Sequence, residues 1–186
     1  CNNAAREIVR ERTIYRRERD VNLQAGSYYA SKLVLLGATS MIQVALLLGL
    51  VLVCCRPPIE VGTTTVLLGF LGLAGVSLGL LISSAARTEA IAASLVPIVL
   101  IPQIVLAGLI APLSGVALWV ARVCVTTYWG YHGLTHVLTG NLDGIAPGEG
   151  PGPWVGLMIL ILHCGLLGAV TLFILRSPEG LVGIDN

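Results

Sequence analysis

Charge is scarce in this chain, and what it excludes comes first. Only 11% of the 186 residues are charged, against about 25% in an average soluble protein, while 55% are hydrophobic. A net charge of +1, gathered in one local block, excludes a nucleic-acid partner. Lysine is scarcer still: Lys32 is the single one, and Leu33 follows it, so the phosphate-cradling pattern G-x-x-x-x-G-K-[ST] is absent. H-E-x-x-H and paired intramembrane aspartates are missing too, which leaves no catalytic residue to assign. The five cysteines form no framework. Cys54 and Cys55 are adjacent, Cys124 stands alone, Cys164 lies in an apolar run, and no Cys/His set has zinc spacing, so small packing residues are expected and no metal. Charged residues close behind Cys1 predict no signal peptide, and the missing initiating Met points to a piece of a longer polypeptide.

What the chain does have is long apolar runs, with a mean hydropathy of +0.87. Four reach membrane length: 33–55, 64–86, 90–111 and 154–175. The first, at ~1.5 Å per residue, is roughly 34 Å long against a hydrocarbon core of about 30 Å. It stops at Arg56-Pro57-Pro58, and Thr63, Thr64 and Thr65 supply capping chemistry for the second. The stretch 113–138 tempts a fifth span, but Arg122 near its middle would cost about 2.5–3.5 kcal/mol. Its Trp119, Tyr128, Trp129 and Tyr131 are expected at the headgroup boundary, on an outer re-entrant or surface helix.

Arginine placement orients the four spans. Arg6, Arg10, Arg12, Arg16, Arg17, Arg19, Lys32, Arg87 and Arg176 fall on one side, and only Arg56 and Arg122 on the other. The positive-inside rule then puts both termini in the cytoplasm. The expected fold is an all-α integral membrane protein. Residues 1–32 form a cytoplasmic connecting segment, 33–175 the bundle with an outer segment at 113–153, and 176–186 a cytoplasmic tail. Tyr28 and Tyr29 mark the inner boundary, and Trp119, Trp129 and Trp154 the outer one.

Several residues inside the bundle could carry function. Gly69, Gly72, Gly75 and Gly79 recur at steps of three or four with Ser83 and Ala86, giving a small-residue face for packing within one subunit or for a dimer or pathway seam. Pro97 and Pro102 each remove a backbone donor and should bend the third span, which makes it a candidate pathway wall. Gln103 and Gln43 are polar at mid-depth and suit either the pathway or a buried interhelical hydrogen bond. His132 and His136 are spaced i, i+4 but lack a third ligand, so interfacial packing outweighs a metal site. His163, near the middle of the last span, is a functional candidate that a helix–helix hydrogen bond explains equally well.

The basic block is mixed. Over residues 6–20 six arginines meet four acids, Glu7, Glu11, Glu18 and Asp20, a weak magnet for lipid headgroups. Ile8, Ile14 and Tyr15 add apolar points. The block suits docking on a protein surface, with an orientation signal as the other reading.

"NNAAREIVRERTIYRRE" followed by "SYYASK" resembles the cytoplasmic link between membrane helices two and three of ABC-2 type transporters, most closely the ABCG, or White-like, group. The shared pattern falls on Glu11, Ile14-Tyr15, Arg17-Glu18, Tyr28-Tyr29 and Lys32. "PIVLIPQIVLAGLIAPL" looks like that group's fifth helix, with Gly108, Leu109 and Ile110, and "TYWGYHGLTHVL" like the outer segment after it. The chain departs from the group around Thr126 and Tyr128, where Pro and Arg are common, and in its short loop at 140–153, which leans towards a bacterial inner membrane. The resemblance implies helices three to six of a permease that works as a dimer in lipid beside an ABC ATPase, separate or upstream, which would bind ATP and Mg. It implies coupling through Glu11, Tyr15, Arg17 and Glu18. It also implies a hydrophobic gate at Leu109 and Ile110, and export of an amphipathic or lipid-like substrate. The rival is a non-transporting membrane anchor that holds a cytoplasmic partner.

Overall fold

The computed structural model describes residues 1–19, 24–57, 59–108, 113–140 and 152–176. These form eight helices and no strand among the described residues: α1 (Asn2–Arg10), α2 (Arg12–Arg19), α3 (Ala25–Cys55), α4 (Val61–Ala85), α5 (Glu89–Val105), α6 (Gly115–Cys124), α7 (Thr126–Gly140) and α8 (Pro153–Arg176). Three of them, α3, α4 and α8, are long and apolar enough to cross a membrane. Their most apolar stretches are 6%, 44% and 17% buried respectively, so α4 is the central post and the other two are peripheral.

Small residues explain why α4 takes the centre. Lipid tails give no hydrophobic drive between helices, so close backbone approach has to hold them together. A Cβ on Gly72 would sit 2.6 Å from Ser40 Oγ of α3, and one on Gly69 3.2 Å from the Met41 sulfur. Gly79 receives α1 instead, with Cys1 O at 2.6 Å and the Ala4 Cβ at 2.7 Å from the same imaginary atom. A Cβ on Gly75 would meet nothing within 4 Å. The glycines expected on one face therefore serve two different neighbours, and one of them serves neither.

Three element boundaries differ from those expected. The first span begins at Ala25 rather than 33, because nothing in 25–32 breaks a helix; its 31 residues extend roughly 46 Å, so its first turns project past a ~30 Å core. The second begins at Val61 with Glu60 as N-cap, not at the threonines. Thr63 Oγ1 donates to Glu60 Oε2 at 2.9 Å, and Thr65 Oγ1 donates back to Val61 O at 2.7 Å. The third, expected over 90–111, is helical only over Glu89–Val105. It starts firmly, with Ile91 N donating to Thr88 Oγ1, and ends one turn after Pro102, where Gly108 takes φ +85. A positive φ of that size suits glycine, and α5 at 17 residues, roughly 25 Å, falls short of the hydrocarbon core.

The stretch expected as an outer segment folds as a pair of helices joined at Val125, a helical hairpin. α6 ends at Val125, which is extended, and α7 returns along α4 and α8. Leu71 lies over Gly130, Leu67 over Gly133, and Trp129 O lies 3.0 Å from where a Cβ on Gly156 would stand. Near the bend His163 Nε2 lies 3.0 Å from Val123 O. His163 is at the middle of α8, so the hairpin reaches half-way along that helix. Tyr128 and Trp129, expected at a headgroup boundary, are 3% and 8% exposed and belong to a core with Leu67, Ala74 and Leu160. Trp129 Nε1 donates to Arg122 O at 2.9 Å, which satisfies its one donor inside the bundle. Trp119 and Trp154 are exposed.

Candidate functional site

The first two helices meet the bundle at a polar junction. α1 lies against α4 and α5 through Ala4, Ala5, Ile8 and Val9, all buried, while its opposite face carries charge. Val9 N donates to Ser83 Oγ at 3.0 Å, and Arg12 Nη2 donates to Ser84 O at 2.8 Å near the end of α4. Ser84 O is among the last carbonyls of that helix, which lack an intrahelical donor, so a guanidinium there also meets the favourable end of the helix dipole.

Lys32 closes the junction from the α3 side. Its Nζ lies 2.8 Å from Glu7 Oε1 and 2.7 Å from Glu11 Oε1, with only 13% of the lysine side chain exposed. Tyr28 donates its hydroxyl to the other Glu11 oxygen at 3.1 Å. Glu11 occupies the single-residue turn between α1 and α2, so one carboxylate ties that turn to two residues of α3. Tyr15 follows on α2 at 1% exposure, its ring centroid 4.7 Å from that of Tyr28 and its hydroxyl 3.5 Å from Leu175 O. Arg17 and Glu18, by contrast, are exposed, as is Ile14.

The expected coupling residues thus divide. Glu11 and Tyr15 face inward and fix α2 to α3 and α8; Arg17 and Glu18 face outward. Sequence reasoning missed Glu7, Tyr28, Ser83 and Ser84 as members of this junction. The spacing of Glu7 and Glu11, one turn apart on a helical segment, was the signal that both carboxylates could reach one cation.

Of the expected pathway residues, Gln103 and Gln43 have different neighbours. Gln103, 7% exposed, accepts at Oε1 from Thr126 Oγ1 (3.2 Å), Thr127 N (3.3 Å) and Thr127 Oγ1 (3.2 Å). That makes its side chain a cap for the start of α7 and a tie between α5 and α7, the interhelical hydrogen bond that was one of the two roles expected of it. Gln43 is exposed and lines a cavity of about 260 Å3 with Asn2, Asn3, Thr39 and Ser40. Leu109 and Ile110 lie outside the described residues.

The histidines are packing groups in this geometry. His132 stacks at 4.3 Å on Tyr128, and burial, then the Arg122 charge, pushes it below its ordinary pKa, which favours the neutral ring. His163 lies between two carbonyls, with Nδ1 2.9 Å from Ile159 O and Nε2 3.0 Å from Val123 O. No group of three His, Cys, Asp or Glu able to hold a metal occurs among the described residues.

The junction thus joins a short charged helix to a bundle of membrane-length helices through two ion pairs. Comparison with curated proteins found no match. The family model described as ABC-2 type transporter matches residues 1–138, which takes in α1 to α6 and most of α7 and leaves α8 outside. That match extends over well more than half of the chain and includes α1, α2 and the Lys32 ion pairs: the chain belongs to the ABC-2 type transporter family.

Proposed function

We propose that this chain is the membrane half of an ATP-driven exporter, and that α1 and α2 take up the stroke of a cytoplasmic ABC ATPase. The observation that carries the reading is the two-sidedness of α2. Tyr15 buries one side against α3 and α8, while Arg17 and Glu18 on the other stand exposed for a partner. A push on the exposed side reaches α3 through Glu11 and Lys32, and α4 through Arg12 and Ser84. ATP and its Mg belong to the partner, either fused upstream or separate, and two copies of the chain enclose the path.

Membership of the family supports a membrane-embedded permease working with an ATPase. The finer arrangement is our reading. In it α3, α4, α5 and α8 are helices three to six of the ABCG pattern. The α6–α7 hairpin enters from the outer face, and both termini lie in the cytoplasm, in the setting of a bacterial inner membrane. Leu109 and Ile110 close the outer end of the path, and α5, with Ile98, Ile101 and Ile104 exposed, lines it for an amphipathic or lipid-like substrate during alternating access.

Charge reversal tests this. A rim ion pair contributes roughly 0.2–1 kcal/mol and a desolvated one several times more, so reversal weakens coupling without unfolding the bundle. Arg17→Glu and Glu18→Arg, made singly in the full-length transporter, should leave insertion intact and lower substrate-stimulated ATP hydrolysis severalfold. A compensating reversal on the ATPase should restore part of it. Wild-type coupling in both variants would leave the arginine block as a topology signal and favour the anchor reading.

A further inference from the structure

A second cavity borders the junction, sharing Tyr29, Leu33 and Leu172 with the apolar cluster around Tyr15. It lies between α3, α4 and α8, has a volume of about 490 Å3, and is lined chiefly by apolar side chains, among them Leu33, Phe70, Leu73 and Ile161. That size falls within the usual range for small-molecule sites. Along α8 it runs from Ile161 to Leu172, roughly 16 Å at 1.5 Å per residue.

One side chain in it is out of keeping with the rest. Tyr29 is 7% exposed, yet its hydroxyl has no hydrogen-bond partner. Gly168 makes room for that phenol: a Cβ there would lie 3.1 Å from the Tyr29 hydroxyl. Ser77 and Cys164 also line the cavity, so it holds one neutral polar side chain from each of α3, α4 and α8. Buried hydroxyls are nearly always partnered, and an unmet one facing a cavity is a place for a ligand atom.

We propose that this groove binds a neutral lipid carrying a single hydroxyl, with the hydroxyl on Tyr29 and Ser77 and the apolar body along Phe70, Leu73 and Ile161. The lining chooses this class. Among the described residues no charged side chain lines the cavity, so a phosphate or ammonium headgroup would stand there unpaired. Plain hydrocarbon would fill the volume but leave Tyr29 unmet. Water could meet Tyr29 but would leave the apolar remainder empty. A long-chain or polycyclic alcohol does both, since one hydroxyl donates and accepts. The site does not depend on the transport reading, because binding is measurable without ATP.

Photolabelling of the full-length transporter in phosphatidylcholine nanodiscs tests it. Three photoactivatable probes would be compared: hexadecanol, an alkane of the same length, and a phosphatidylcholine. The alcohol should label residues 161–172 about fivefold more than the alkane, the preference a single neutral hydrogen bond gives. Tyr29→Phe, which keeps the ring, should bring the two probes level. Gly168→Leu should abolish labelling by filling the groove. Equal labelling by all three probes in the wild-type protein would overturn the proposal. So would an alcohol preference that survives Tyr29→Phe, or no labelling by any probe, which would mean another helix of the full-length protein covers the groove.

Discussion

Lys32 is the residue on which the junction turns. It faces two carboxylates at 2.7 and 2.8 Å, so the three groups together carry one negative charge, and Tyr28 donates to the surplus oxygen. Removing the cation leaves two carboxylates side by side against an apolar bundle. Breaking a fully buried pair costs about 3–5 kcal/mol, but the Glu7 and Glu11 side chains are 30% and 34% exposed, which reduces it to about 1–2 kcal/mol. Lys32→Met should therefore lower the thermal midpoint of the purified transporter by several degrees and weaken ATPase coupling. Adding Glu7→Gln and Glu11→Gln should recover most of the midpoint and none of the coupling. A midpoint unmoved by Lys32→Met would mean that the triad carries no load. The sequence marks Lys32 as a charge at a membrane boundary; that its partners lie 21 and 25 positions upstream is a tertiary fact that periodicity cannot supply. Tyr15 was legible as an apolar point on a charged helix, but whether it faced a partner or the bundle depended on where α8 lay.

Among the elements, α1 depends most on a single glycine. Its N-terminal turn occupies the space a side chain at Gly79 would need, with backbone as well as side-chain atoms inside 3 Å, so no rotamer change relieves the clash. Gly79→Val should displace α1 from α4, seen as faster amide hydrogen exchange over residues 2–10, while α3 and α8 keep their protection. Gly75→Val is the matched control, since nothing lies within 4 Å of its Cβ, and should leave exchange in α1 unchanged. Equal exchange in both variants would contradict the packing described. The glycine spacing of α4 was plain in the sequence, but which neighbour each glycine admits was not. The same limit explains Tyr128 and Trp129. Aromatic residues after an arginine suit a headgroup belt, and only the glycines of α7 and α8, which bring those helices together, put them in a core. α5 ends at Val105 although hydropathy continues past Pro102, since helical geometry, among the described residues, gives way to a turn at 106–108.

At the scale of the whole molecule, the membrane-length helices were the most legible part, since long apolar runs state their own ends: α8 begins and ends within a residue of 154–175, and α3 ends where Arg56 turns to φ 44. Orientation is a separate matter. In a cysteine-free background, a probe at Gly152 should react with an impermeant reagent from outside and one at Thr88 should not; the reverse pattern would invert the bundle. The central claim is narrower: the outer side of α2 touches the ATPase. A photo-crosslinking amino acid at Arg17 of the full-length transporter puts that to the most direct test, with Phe173, exposed on α8, as the control position. The expected result is a covalent product with the ATPase domain from Arg17, stronger with a trapped nucleotide, and none from Phe173. Crosslinking of Arg17 only to lipid, or equally from both positions, would contradict the account.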